Sequence, residues 1–106
     1  MKRILIIDDE ERIRKLYSQL LKAEGYRVFQ AASVFEANEI LKREHIDLVL
    51  LDIKMPEVEG NVFYETIQLF HKKTKVIVTS VYSLSEQQQL IEGAAGYHDK
   101  SEGNAM

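Results

Sequence analysis

Five side chains that could do chemistry each stand at the end of a strand-like stretch: Asp8, Asp9, Asp52, Ser80 and Lys100. Three carboxylates brought to one place would repel one another unless a cation lay among them. Magnesium suits such a set, because it combines one or two carboxylates with water and phosphate oxygens, whereas calcium needs more oxygens than these residues supply. The sequence therefore predicts a magnesium site.

The hydroxyl of Ser80 and the ammonium of Lys100 favour a phosphoryl group beside that ion. Each could contact one phosphoryl oxygen, and catalysis of phosphoryl transfer is mostly positioning and charge neutralisation. Asp52 could be the nucleophile, as carboxylates are in aspartyl-phosphate enzymes. Taken singly, the residues have plainer explanations, such as an acidic helix start at Asp8-Asp9 or a turn residue at Asp52. Their joint placement at four strand ends favours the site.

The apolar pattern predicts an α/β chain of the form β-α-β-α-β-α-β-α-β. Unbroken apolar runs at Ile4–Ile7, Ile46–Leu51 and Lys75–Thr79 are typical of strands covered on both faces. Tyr26–Ala31 and the very short Tyr97–His98 supply two more strands. Strands that alternate with short helices indicate a parallel sheet with right-handed crossovers. Ligands of such sheets bind beyond the carboxyl ends of the strands, where the five side chains stand.

Four helices are predicted between these strands. The first ends at Gly25, and the second begins with a capping box in which Ser33 accepts from the backbone and Glu36 reaches back. Asn61 is predicted to cap the third, and the fourth runs from about Ser85 to Glu92. The helical spacing of apolar residues in the first three helices is carried by Ile13, Leu16, Tyr17, Leu20 and Leu21, by Ala37, Ile40 and Leu41, and by Phe63, Ile67 and Phe70.

Composition excludes several classes of protein. The 106 residues suffice for one domain, 1–106, and their 45% hydrophobic and 29% charged content is that of a globular protein. A net charge of −3 without a basic run argues against direct nucleic-acid binding. The first apolar run has four residues, too few for a signal peptide or a membrane span, and cysteine is absent, so we expect a cytoplasmic protein.

The sequence resembles the receiver domains of bacterial two-component systems. The matching segments are Ile6–Glu10, Leu50–Gly60, Val76–Ser80 and Gly93–Tyr97, together with Lys100. The acidic pair combined with an Asp-x-x-Met-Pro-x-x-x-Gly pattern is the specific part of the match. The resemblance implies a flavodoxin-like, doubly wound, five-stranded parallel sheet with strand order 2-1-3-4-5.

The resemblance also implies how the site works. Asp52 would accept a phosphoryl group from the phosphohistidine of a sensor histidine kinase or a phosphotransfer protein. Asp9 and Asp52 would bind magnesium directly, Lys54 through its backbone carbonyl, and Asp8 through water. The domain would itself perform the transfer and the later dephosphorylation, and would act as a regulator of a downstream output protein or domain rather than as an enzyme.

Further residues receive roles from the same resemblance. Ser80 and Lys100 would contact the phosphoryl group, and Tyr97 would turn inward when the Ser80 hydroxyl moves, although Tyr97 can equally be a half-buried strand residue. Lys54 and Tyr82 stand at the positions that tune dephosphorylation in this family.

The chain departs from the family pattern at its end. Val81 replaces a small residue, Ser101 replaces a proline, and the stretch between Ser80 and Lys100 is about two residues short. Only six residues follow Lys100, so the family's last helix is missing or truncated. Apolar side chains beside the first helix would lose cover worth about 1.5–3 kcal/mol each, unless another chain supplied it in a homodimer.

Three alternative functions remain. A receiver-like module that binds partners without phosphorylation would fit Val81, Ser101 and the missing helix, and magnesium titration would distinguish it. A phosphatase with an aspartyl nucleophile usually needs an acid two residues later, where this chain has Lys54. A flavin- or nucleotide-binding protein would need a glycine-rich loop after Asp8-Asp9, which the sequence lacks.

Overall fold

The sheet has the predicted strand order. The computed structural model describes residues 2–52, 60–80 and 94–99, which contain a five-stranded sheet of parallel strands ordered β2-β1-β3-β4-β5. The elements along the chain are β1 (Arg3–Ile7), α1 (Glu11–Ala23), β2 (Arg27–Ala31), α2 (Val34–Arg43), β3 (Leu48–Asp52), α3 (Gly60–Phe70), β4 (Lys75–Ser80) and β5 (Gly96–Asp99). The predicted flavodoxin-like fold class is confirmed. The predicted fourth helix, Ser85 to Glu92, lies outside the described residues.

Helices cover the two faces of the sheet unequally. Because side chains alternate along a strand, each apolar run of β1, β3 and β4 contributes to both faces. On one face, strand residues pack under α2 and α3 in a cluster that includes Leu5, Ile7, Val49, Leu51, Val76, Val78, Ala37, Ile40, Leu41, Phe63, Tyr64 and Ile67. On the other face, α1 packs in a smaller cluster of Ile4, Ile6, Ile13, Tyr17 and Leu50. Burial on both faces explains the unbroken apolar runs.

Helix α1 ends where predicted but buries less than predicted. The residue after its C-cap, Gly25, has a φ of 93°, which favours glycine. Ile13 and Tyr17 are buried against the sheet, whereas Leu16 and Leu20 are 40% and 41% exposed. The buried line follows every fourth residue, so Leu16 and Leu20 lie about 100° to one side of it.

The predicted capping residue is confirmed for α2 but not for α3. The Ser33 hydroxyl accepts a hydrogen bond from Glu36 N at 3.1 Å, and Ala32 N donates to Glu36 Oε1 at 2.8 Å. The capping box is therefore present, with Glu36 reaching one residue further back than expected. Helix α3 begins at Gly60, so the prediction that Asn61 precedes and caps it is wrong. The helical spacing groups Phe70 with Phe63 and Ile67, but the Phe70 side chain is 72% exposed.

An open apolar groove lies on the sheet face that α1 covers. Its volume is about 340 Å³, and its lining residues are Lys2, Ile4, Leu21, Tyr26, Asp47, Leu48, Leu50, Lys75 and Ile77. Among the described residues, α1 is the one helix with side chains in the cluster on this face. None of the helices in the described ranges is long and apolar enough to cross a membrane.

Candidate metal and phosphoacceptor site

Three carboxylates meet at the carboxyl edge of the sheet. Ile7 of β1 is paired in register with Leu51 of β3, so the residues that follow them, Asp8 and Asp52, are neighbours. One carboxylate oxygen from each of Asp8, Asp9 and Asp52 lies within 4.8 Å of the other two. Asp8 and Asp52 are 1% and 3% exposed, whereas Asp9 is exposed. The predicted convergence of these three residues is confirmed.

Hydrogen bonds to and from Asp8 fix the loop that carries the acidic pair. Asp8 N donates to Ala31 O of β2 at 3.1 Å. Glu10 N donates to Asp8 Oδ1 at 2.9 Å, and Arg14 Nη1 donates to Asp8 O at 2.7 Å. Glu10 is the N-cap of α1 but makes no side-chain cap of its own, so Asp8 holds the start of the helix as well as facing the site.

The row of residues beyond Asp52 crosses β4 and β5. Asp52 is paired with Thr79, and Thr79 with His98, so these three residues share the sheet face on which α1 packs. Thr79 is buried, and the His98 ring meets the Tyr17 ring of α1 edge to face, with centroids 6.1 Å apart. The sequence assigned no role to Thr79 or His98, because their place in the row that begins at Asp52 depends on the register of β4 and β5.

Two predicted phosphoryl contacts are only partly described. Ser80 is the last residue of β4, and its backbone is in register with Asp99 of β5. Its backbone position at the carboxyl edge agrees with the prediction, and the structure describes nothing of its side chain. Lys100, Lys54 and Tyr82 lie outside the described residues, as do the family departures Val81 and Ser101. The roles given to Ser80, Lys100, Lys54 and Tyr82 remain predictions.

Tyr97 belongs to the other face of the sheet. It is half-buried and packs against the cluster under α2 and α3. Burial raises the pKa of Tyr64 on α3, and the nearby Tyr97 raises it further. The Tyr64 hydroxyl therefore stays neutral near pH 7. This position is compatible with both explanations of Tyr97, the switch residue and the half-buried strand tyrosine.

The donor set fits a hard divalent cation. Three carboxylate oxygens from two strand ends and one loop converge, and oxygen ligands of this kind suit magnesium. Magnesium retains water or phosphate oxygens on its remaining positions. A phosphoryl group held there would lie beside the carboxylate of Asp52.

The fold and the acidic edge define a class of signalling domain, and comparison with known proteins identifies the family. Residues 4–105 match the family model of the response regulator receiver domain. The chain belongs to this family and is a receiver domain of the two-component response-regulator class.

Two curated relatives illustrate the match. The chain is 38% identical over 80 residues to sporulation initiation phosphotransferase F of Bacillus subtilis, which covers 76% of this chain and 64% of that protein. It is 40% identical over 91 residues to the probable transcriptional regulator ycf27 of Porphyridium aerugineum, covering 86% of this chain and 37% of the relative. The chain thus spans less than two thirds of the length of both relatives.

Solved structures share the fold over nearly the whole chain. The response regulator TrrA from Thermotoga maritima, solved in complex with Mg²⁺-BeF, is 35% identical with a TM-score of 0.87, covering 99% of this chain and 91% of that one. A CheY-like receiver domain protein from Methanospirillum hungatei is 34% identical with a TM-score of 0.87, covering 94% and 82%.

Proposed function

We propose that the domain accepts a phosphoryl group on Asp52, with magnesium bound directly by Asp9 and Asp52, through water by Asp8, and by the backbone carbonyl of Lys54. The convergence of three carboxylate oxygens within 4.8 Å carries the proposal. Membership of the receiver family supports it, as does the Mg²⁺-BeF complex of the 35% identical TrrA.

The chemical step is a displacement at phosphorus. A carboxylate oxygen of Asp52 forms the new bond to phosphorus, and the bond from phosphorus to the donor's histidine nitrogen breaks. The nitrogen keeps the electron pair of the broken bond, and the imidazole ring carries a proton taken up from solvent, so it leaves as neutral histidine while Asp52 becomes the acyl phosphate. Bound magnesium would neutralise charge on the carboxylates and on a phosphoryl oxygen. Ser80 and Lys100 would contact the other two oxygens.

The sheet holds Asp52 in place for this role. Its carboxylate is held at the end of β3, whose neighbours β1 and β4 fix the backbone on both sides. A nucleophile that is already oriented needs little reorganisation at the moment of reaction. The domain would itself perform the transfer and the later hydrolysis of its acyl phosphate. It would act as a regulator and would have no other substrate.

The consequence of phosphorylation is the switch. Ser80 and Tyr97 would change position together, and Lys54 and Tyr82 would set the lifetime of the acyl phosphate. The partners would be a sensor histidine kinase or phosphotransfer protein and a downstream output protein or domain, and a homodimer is one further possible assembly. A cytoplasmic location belongs to the same proposal and would be checked by cell fractionation.

Mass spectrometry after incubation with a small acyl phosphate and magnesium tests the proposal. We expect one added phosphoryl group on the wild type and none on Asp52→Asn. The control is Asp47→Asn, which makes the same chemical change at the other end of β3 and should leave phosphorylation intact. Equal modification of the wild type and Asp52→Asn would refute the proposal. An unmodified wild type would also refute it, and would leave the phosphorylation-independent binding module in its place.

A further inference from the structure

We propose that Arg14 is a positioning residue of the magnesium site: its hydrogen bond to the Asp8 carbonyl oxygen holds the acidic loop in its metal-binding conformation. The inference rests on the proposed function and extends it to a residue outside the cluster of carboxylates. Arg14 belongs to the first turns of α1 and contacts a neutral backbone oxygen at 2.7 Å.

The hydrogen bond from Arg14 ties helix α1 back to the start of the loop that joins β1 to α1. The Asp8 carbonyl belongs to the peptide that joins Asp8 to Asp9, so its direction sets where the Asp9 backbone starts. Asp8 N is fixed to Ala31 O, and Asp8 Oδ1 is fixed to Glu10 N. Those two bonds act on atoms outside the Asp8–Asp9 peptide, whereas the bond from Arg14 acts on the carbonyl oxygen of that peptide itself. Without the Arg14 bond, the backbone of Asp9, the exposed member of the cluster, would be held less firmly in position.

Arg14 is itself well placed to act as an anchor. Its backbone N–H donates to Glu10 O at 3.1 Å, so its Cα is held in the helix that follows the loop. Its side chain is half-buried, and a hydrogen bond from a charged donor is stronger than one between neutral groups. Arg12, two residues earlier, is exposed, and its side chain makes no hydrogen bond within the described residues.

Positioning and simple electrostatics predict opposite changes in magnesium affinity when Arg14 loses its charge. A positive charge near a cation site weakens magnesium binding, so removing the charge of Arg14 should tighten binding if charge is all that matters. If Arg14 positions the loop, its removal should weaken binding, because loss of an outer partner of a metal ligand typically costs about 10–100-fold in affinity. Arg12→Gln removes the same charge from the same helix without touching the loop.

Isothermal titration with magnesium chloride separates these outcomes. We expect the dissociation constant of Arg14→Gln to rise about 10-fold over the wild type, that of Arg14→Lys to lie between the two, and that of Arg12→Gln to stay equal or fall. Arg14→Lys keeps the charge and one donor, so its partial rescue would distinguish positioning from a general loss of stability. Thermal unfolding without metal provides the second readout for each variant.

The result that overturns the inference is Arg14→Gln binding magnesium as tightly as the wild type or more tightly. If Arg14→Gln does not fold, Arg14→Met decides. This variant keeps most of the aliphatic stem and removes every donor, so wild-type magnesium affinity in a folded Arg14→Met would overturn the inference. A wild type that does not bind magnesium would overturn the proposed function together with the inference. The two failures are therefore distinguishable by the wild-type titration.

Discussion

The two ends of β3 use the same type of residue in opposite ways. Asp47 immediately precedes the strand and accepts hydrogen bonds from Arg3 N at 2.8 Å and from the His45 ring at 3.0 Å. Next to it, the carboxylate of Glu44 forms an ion pair with the Arg3 guanidinium at 3.2 Å. Asp52 ends the strand and instead joins two further carboxylates within 4.8 Å.

This difference separates residues that stabilise the fold from residues that serve the site. At the amino end, carboxylates meet donors supplied by the chain itself, so their charge is compensated internally. At the carboxyl end, like charges are brought together, which costs free energy that a bound cation would offset. The contrast implies that removing a carboxylate should have different consequences at the two ends.

The largest expected effect is on metal affinity at the carboxyl end. Asp9→Asn removes a proposed direct ligand, so the magnesium dissociation constant should rise by more than about 100-fold, the upper range for loss of an outer partner. Isothermal titration measures it. Asp47→Asn is the matched control and should bind magnesium as the wild type does; a similar loss in both variants would break the contrast between the ends.

The amino end should respond in stability alone. Thr74 Oγ1 donates to Ile46 O at 2.8 Å in a buried position, so Thr74→Val should lower the free energy of unfolding by about 1–3 kcal/mol, because a buried carbonyl loses its donor. Urea denaturation measures the loss. Thr66→Val, which removes an exposed hydrogen bond to Val62 O within α3, should cost less. A change in magnesium affinity for Thr74→Val would contradict the separation of roles.

Without metal, the carboxyl end should gain stability from losing charge. Asp9→Asn should raise the free energy of unfolding by about 0.5–1 kcal/mol, the scale of interactions between exposed charges. Asp47→Asn should lower it, because Arg3 N and His45 lose a charged acceptor. Thermal unfolding in the presence of a chelator gives both signs. Destabilisation by both variants would show that the acidic cluster is not strained by repulsion.

The smallest effect is a pH dependence at the amino end. The hydrogen bond from Arg3 N, with a smaller contribution from His45, holds the pKa of Asp47 below its usual value, against a partial opposing effect of burial. A lowered pKa in the folded state means that the stabilisation is fully present above the ordinary aspartate pKa of about 3.9 and is lost as the pH falls through the folded value. The stability difference between the wild type and Asp47→Asn should therefore shrink on acidification. A difference independent of pH would argue against it.

The sequence predicted the acidic cluster well because the cause is local. Each of Asp8 and Asp52 ends an apolar run, and parallel strands bring their carboxyl ends to one edge, so position in the run is enough. Strand order required the family resemblance, since apolar runs do not reveal which strands are neighbours. The register that puts Thr79 beside Asp52 could not be predicted for the same reason.

Other features were predicted wrongly from the sequence or could not be predicted from it, for physical reasons. Asn61 has the side chain of a helix cap, but α3 already begins at Gly60. Leu16 and Leu20 have the spacing of a buried stripe, yet the contact line of α1 follows Ile13 and Tyr17. The bond from Arg14 to the Asp8 carbonyl leaves no sequence signal, because a surface-type side chain on a helix has many possible partners.

A crystal structure of the wild-type protein grown with magnesium tests the central claim most directly. We predict octahedral density with metal–oxygen distances of about 2.0–2.1 Å to carboxylate oxygens of Asp9 and Asp52, with Asp8 reached through a water molecule. Well-ordered Asp9 and Asp52 side chains turned away from each other, at a magnesium concentration that saturates related sites, would contradict the account.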